Sequence, residues 1–171
     1  MLLRTTRFLI AVLAVCFLGQ APTAQTPAGL TIDGEVAKPL KLSLADIAKL
    51  PHKTVQAKGH DGKTNSYEGV PLIDLLTAAG VPSGEQMRGP SLSLFLLVGA
   101  ADNYHAVFAL PELDPAYTDK VVILADKIDG KPFGADQGPL RIIVPDEKRQ
   151  GRWIRQVTTF TIMRAKTAGG K

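Results

Sequence analysis

Cysteine is almost missing from this chain: a single residue, Cys16, occurs in 171. It lies inside an apolar stretch near the N-terminus, so the chain beyond it carries no thiol. Disulfide staples, thiolate nucleophiles and cysteine-held metals are therefore excluded from everything after that stretch. Aromatic residues are also few, at 6 %, with one tryptophan, Trp153. No Lys/Arg block interleaved with aromatics occurs, which argues against nucleic acid as a partner. Long apolar runs are lacking too. A bilayer span needs about 20 apolar residues, and the unbroken run over 8–19 is shorter than that. There is no internal repeat and no low-complexity segment.

The N-terminus has the order of a secretory signal. Arg4 and Arg7 form a short basic region, the apolar run follows, and Ala21, Pro22, Thr23, Ala24 and Gln25 come next. Cleavage is expected near Ala24. The expected organisation is a signal peptide over 1–24, a linker over 25–30, one domain over 31–165 and a flexible tail over 166–171. The product is expected to be periplasmic and not to span a membrane. Removing Arg4 and Arg7 lowers Lys and Arg from 20 to 18 against 16 acids. The net charge then falls from +4 to about +2, so the basicity of the whole chain overstates that of the exported part.

Hydrophobic periodicity predicts a strand-rich, mixed α/β (α+β) domain with two or three short helices. Strands are expected over 31–36, 54–58, 91–98, 107–110, 121–125, 140–144 and 153–163, the last rich in threonine and β-branched residues. Ser43, three residues ahead of Asp46, reads as a capping box for a short helix with Leu44, Ile47 and Leu50 on one face. Pro71 opens a second helix with Leu72, Leu75, Leu76 and Ala79 on its apolar face, and Gly80 stops it. The segment 59–66 reads as a polar loop, and 81–90 as another.

Five segments occur in order: LSLADIAKLP, YEGVPLIDLLTAAG, AADNYHAVFALPELDP, VVILA and GPLRIIVPDEKRQGRWIRQV. Together they resemble the molybdopterin-binding domain of the sulfite-oxidase family, over nearly all of the mature chain. The resemblance implies that family's fold and a pterin-type pocket. In the family's enzymes a cysteine that binds molybdenum precedes the equivalent of Tyr67-Glu68-Gly69-Val70. Here the corresponding stretch, 55–60, ends in Lys58-Gly59-His60 and contains no sulfur. His60 is not a soft thiolate donor, and His52 and His105 show no spacing with it that makes a metal site. No metal is expected. Molybdopterin enzymes are generally exported folded, through a twin-arginine signal; here Arg4 and Arg7 are separated by two threonines.

The resemblance also points to residues at the ligand. A pterin is a flat bicycle with a polar edge, so Trp153 would offer a stacking face and Arg152 hydrogen bonds. A core tryptophan beside a solvated arginine is the alternative. Arg141 interrupts an apolar strand and either reads a ring carbonyl or snorkels from an edge. Arg149, with Lys148 and Arg152, forms a set of donors for an anionic tail, or a charged turn. Asp102, Tyr104 and His105 occupy the place of the family's aspartate and aromatic. Asp102 either pairs with the amino and ring N–H groups of a pterin or caps its own turn.

Three functions are open on these grounds. One is a non-catalytic protein binding a pterin, most simply a reduced one, and relaying its occupancy to the periplasmic domain of a membrane-bound signalling protein. Another is a molybdopterin-dependent oxidoreductase with an atypical site; the third is a ligand-free interaction domain. The separated arginines carry a test of the export route. Blocking the twin-arginine system should leave the level of mature protein unchanged, and accumulation of precursor under that block would show folded, cofactor-loaded export instead.

Overall fold

The computed structural model describes residues 29–166. The expected signal peptide with Cys16, residues 25–28 of the linker and the tail beyond 166 lie outside the described residues. Two five-stranded sheets share one apolar core. The first sheet contains β1 (Leu30–Gly34), β2 (Leu40–Leu42), β5 (Leu94–Ala100), β6 (His105–Ala109) and β10 (Val157–Arg164), in the spatial order β2-β1-β10-β5-β6. Only β1 and β10 run parallel; the other neighbours are antiparallel. The second sheet contains β3 (Lys53–Lys58), β4 (Thr64–Pro71), β7 (Ile123–Ile128) and the two-residue β8 (Lys131–Pro132). A short β9 (Arg141–Ile143) pairs with the first half of β7.

Side-chain alternation fills the space between the sheets. Leu96, Val98, Phe108, Phe160 and Ile162 point inward from the first sheet, and each is essentially fully buried. Ile123, Leu124 and Ala125 are consecutive and all buried, the pattern of a strand covered on both faces. Two α-helices occur among the described residues. α1 (Leu44–Ile47) is a single turn whose capping box forms as the sequence implies, with the Ser43 hydroxyl and Asp46 exchanging hydrogen bonds. Those bonds to the Ser43 hydroxyl and backbone hold the Asp46 carboxyl below the usual carboxylate range. α2 (Leu72–Ala78) buries Leu72, Leu75 and Leu76, and Gly80 takes the left-handed conformation that ends it. No helix among the described residues is long and apolar enough to cross a membrane.

Three local expectations are corrected. Residues 40–42 form a strand that the sequence pattern does not announce, because three residues are too few to show alternation. The polar loop expected over 59–66 is shorter, since Thr64 already pairs with Lys58 and opens a strand that continues to Pro71. The last strand begins at Val157 rather than 153. Gln150–Arg152 form a 3-10 turn, and Gln156 adopts a positive φ of 49° that breaks strand geometry before pairing starts.

At Gly69 the chain approaches its neighbour too closely for a side chain. A Cβ there would lie 2.2 Å from the Leu124 carbonyl oxygen, next to the irregularity in the β4–β7 register. Gly69→Ala must therefore push two central strands apart, and overpacking of this kind costs about 1–3 kcal/mol. A chemical denaturation midpoint equal to that of the wild type would show that the sheet yields at this point without cost.

Candidate ligand-binding site

Segment 138–157 builds the site, because it crosses between the sheets. Ile142 N–H donates to the Ile154 carbonyl at 2.8 Å, and Val157 N–H to Leu140 at 3.0 Å. These bonds hold β9, the turn at 150–152 and the start of β10 side by side. Trp153 emerges from that turn into the core. It is 5 % exposed, and its Nε1–H donates to the Val144 carbonyl at 3.0 Å. Its ring meets Tyr67 edge-on at 5.7 Å between centroids, and Tyr67 in turn stacks on Phe133 at 6.4 Å. The indole is thus packed as a wall of the core with its one donor engaged. It is not a free-standing platform.

Arg141 lies against this wall. Its guanidinium carbon is 5.6 Å from the Trp153 ring centroid, a cation–π distance. The residue is 6 % exposed. Nη1 donates to Gln137 Oε1 at 2.7 Å, whereas Nε is buried without a partner. Burial lowers the pKa of the group, with Arg155 acting the same way and Tyr67 and Asp136 opposing. A guanidinium stays charged through such a shift. Arg141 therefore brings a cation and an unused donor into the interior. The expectation of an arginine that snorkels from a strand edge is not what the fold does with it.

Three hollows surround this pair. One of about 290 Å³ is bordered by Arg141, Gln137, Tyr67 and Arg155, and by His60, Asp61 and Asn65 of the β3–β4 hairpin. A second, of about 370 Å³, lies between β3 residues 56–58, Thr64, the Asp146-Glu147 turn and Trp153. A third, of about 220 Å³, runs along Asp102, Tyr104, Gln150, Gly151 and Arg155, again against Trp153. Trp153 borders the second and third, and Arg155 the first and third. Only the second lies within the usual volume range of small-molecule pockets, at its lower end, and the other two are smaller.

The structure brings Trp153 and Arg141 into contact and places Asp102 and Tyr104 on the third hollow. Asp102 Oδ1 accepts the Tyr104 N–H at 3.0 Å, which closes its own turn. The Tyr104 hydroxyl donates to Gly151 at 2.8 Å and ties that turn to the one at 150–152. His105 lies on β6 over Gly99 and borders none of the three. Arg149 is exposed at the head of the 3-10 turn and does not border them either.

Arg152 is engaged elsewhere. It pairs with Glu147, bonding it through Nε at 2.7 Å and through Nη2, and with Glu112 at 3.0 Å. It also lies over the Phe108 ring and donates to the Val107 carbonyl at 3.3 Å. Burial works against its charge, but the hydrogen bonds to Glu112 and Glu147 outweigh that and raise its pKa. The guanidinium caps one carbonyl on the open edge of β6 and anchors the turn that carries Glu147. It is not held free for a ligand.

Sequence reasoning passed over Gln137, Arg155, Asn65 and Glu147. Arg155 stands two residues from Trp153 and was visible as a basic residue, but no local pattern shows which hollow a loop residue borders.

These residues fit the organic part of a molybdopterin-type cofactor. The Arg141 and Arg155 guanidiniums and the Gln137 and Asn65 amides border the first hollow and are groups of the kind that pair with a heterocycle's polar edge. They do not fit its metal. The described residues contain no thiol, and no group of three His, Cys, Asp or Glu among them is placed to hold a metal ion.

Comparison with known proteins agrees with the fold. The family model described as the oxidoreductase molybdopterin binding domain matches residues 19–169. Of 25 solved chains that match, one is the sulfane dehydrogenase SoxCD from Paracoccus pantotrophus, at 25 % identity and a TM-score of 0.61. The match covers 78 % of this chain and 37 % of that one, so the chain spans well under half of that relative. No curated protein matches. The strand-rich α+β architecture is that of this family, and the chain belongs to the oxidoreductase molybdopterin-binding domain family.

Proposed function

We propose that this chain is an exported, non-catalytic binding protein for a pterin, most simply a reduced one. The observation that carries the reading is Arg141: a buried cation bordering a hollow whose other polar side chains include Gln137, Asn65, His60, Asp61 and Arg155. A guanidinium at the border of such a hollow favours a ligand that supplies a hydrogen-bond acceptor. A pterin carbonyl or ring nitrogen is such an acceptor. The lack of a soft donor argues that the ring is bound without a metal. A binding protein without chemistry acts through what it touches. We extend the proposal to a partner, the periplasmic part of a membrane-bound signalling protein, that reads occupancy. Periplasmic crosslinking that gives the same adducts with and without pterin would remove that extension.

The family and the dehydrogenase neighbour favour a second reading, a molybdopterin-dependent oxidoreductase with an atypical site. One preparation separates the two. Protein purified from the periplasm should carry no stoichiometric molybdenum, and about one molybdenum per chain would establish the oxidoreductase. The same protein should bind a tetrahydropterin, and Arg141→Met should weaken it by roughly 10- to 100-fold, the loss of one charged hydrogen bond at about 1.5–3 kcal/mol. Because an apolar side chain of similar length replaces a poorly paired buried charge, the melting temperature should hold or rise. Equal affinity for the two folded proteins would place the ligand elsewhere.

A further inference from the structure

The two sheets treat their edge strands differently. β6 closes one end of the first sheet. Its Val107 carbonyl accepts from Arg152 at 3.3 Å and its Ala109 N–H donates to Glu112 Oε1 at 2.8 Å, so side chains already occupy part of that edge. β3 closes one end of the second sheet, and β4 is the only element packed extensively along it among the described residues. The Gly59 N–H turns towards β4 and donates to the Lys63 carbonyl at 2.7 Å, whereas the Lys58 carbonyl turns outward and accepts from Gln150 at 2.6 Å. Alternation then points the N–H and C=O groups of Thr54 and Gln56 outward as well. Both residues are exposed, and those backbone groups have no hydrogen-bond partner among the described residues.

We propose that this open edge pairs with the same edge of a second copy of the chain, antiparallel about a two-fold axis at Val55. Thr54 of each copy then faces Gln56 of the other, and each such pair exchanges both of its N–H···O bonds. Two features select a second copy as the occupant. The outward groups at 54 and 56 lie symmetrically about residue 55, which is what a self-complementary two-fold contact requires. The charges agree with the antiparallel register. Lys53 comes opposite the buried, neutral Ala57 of the other copy, so no two lysines meet. Lys58 comes opposite His52 of the other copy, a ring tied to the Asp126 carboxylate at 3.2 Å. An in-register parallel pairing would instead set lysine beside lysine at both ends. The second hollow, which Gln56, Ala57 and Lys58 border, then lies beside the junction of the two copies. Pairing at this edge does not depend on the pterin reading.

Sedimentation equilibrium of the full chain, from about 1 µM to about 1 mM, should show monomer and dimer in exchange. A monomer across that range overturns the proposal and leaves Lys53 and Lys58 as charges that keep the edge unpaired. Gln56→Pro removes one outward N–H from each copy and none from the β3–β4 ladder, so its melting temperature should hold. Its dimer should weaken by about tenfold or more, the loss of two hydrogen bonds per dimer. A dimer that this variant leaves unchanged also overturns the proposal, because association then uses another surface. A disulfide gives a second measure that needs no proline to be tolerated. With Cys16→Ser as the background, Val55→Cys sets two thiols face to face at the axis, with Cα atoms about 4.5 Å apart, within the span of a disulfide. Mild oxidation should link the Val55→Cys protein into dimers and leave the Lys41→Cys protein, altered on the exposed edge strand β2 of the other sheet, monomeric. Equal linkage of both proteins, or of neither, overturns the pairing.

Discussion

Burying Arg141 beside Trp153 is the constraint around which the rest of the structure is arranged. A guanidinium inside a protein needs neighbours that compensate for lost water, and here they come from distant parts of the chain. Gln137 provides an amide oxygen, Trp153 a ring face, and Tyr67 an edge that locks the indole. β9 is only three residues long, yet it pairs with β7 on one side and hydrogen-bonds to residue 154 on the other. That position lets one short strand carry a charge into the space between two sheets. Apolar side chains fill most of the core, Asp114 and Arg141 are the buried charged residues, and the three hollows gather around Arg141 and Trp153.

Fold and metal chemistry place different demands on such a site. Holding a soft metal needs an anionic sulfur donor at a defined distance. Holding a heterocycle needs a flat wall, a donor and an acceptor, all fixed in orientation. Beyond Cys16 the chain has no sulfur donor of the first kind, and pterin binding is proposed for it on the second. The family model matches residues 19–169, and Trp153, Arg141 and the polar residues of the first hollow lie together in the described part. The chain has the family's fold without a cysteine beyond Cys16, and Arg141 and Trp153 stand on other segments than the stretch 55–60.

Local patterns carried much of the fold. α2 was legible because Leu72, Leu75 and Leu76 recur at helical spacing and Gly80 follows, and every one of those signals lies within a nine-residue window. The Ser43–Asp46 box was legible for the same reason. β2 was not, being too short to alternate, and the polar start of β4 was hidden because its first residues are exposed on a hairpin. The site was harder still. Arg152, the obvious donor beside Trp153, is drawn away by Glu112, a residue 40 positions earlier. Asp102 answers to Tyr104, and Glu147 looks from sequence like one charge in a charged turn.

What the sequence alone determined is the class of molecule: a chain without thiols beyond Cys16, strand-rich, and similar over its length to a pterin-binding family. Composition and ordered motifs suffice for that because they do not depend on which residues meet. Only the tertiary structure decided that Trp153 is a wall, that Arg152 is taken up by Glu112, Glu147 and a carbonyl of β6, and that Arg141 is buried against the indole. The physical reason is that a hydrogen bond is satisfied or left open by partners from across the chain. No residue's own neighbourhood in sequence records whether its partner has already been taken.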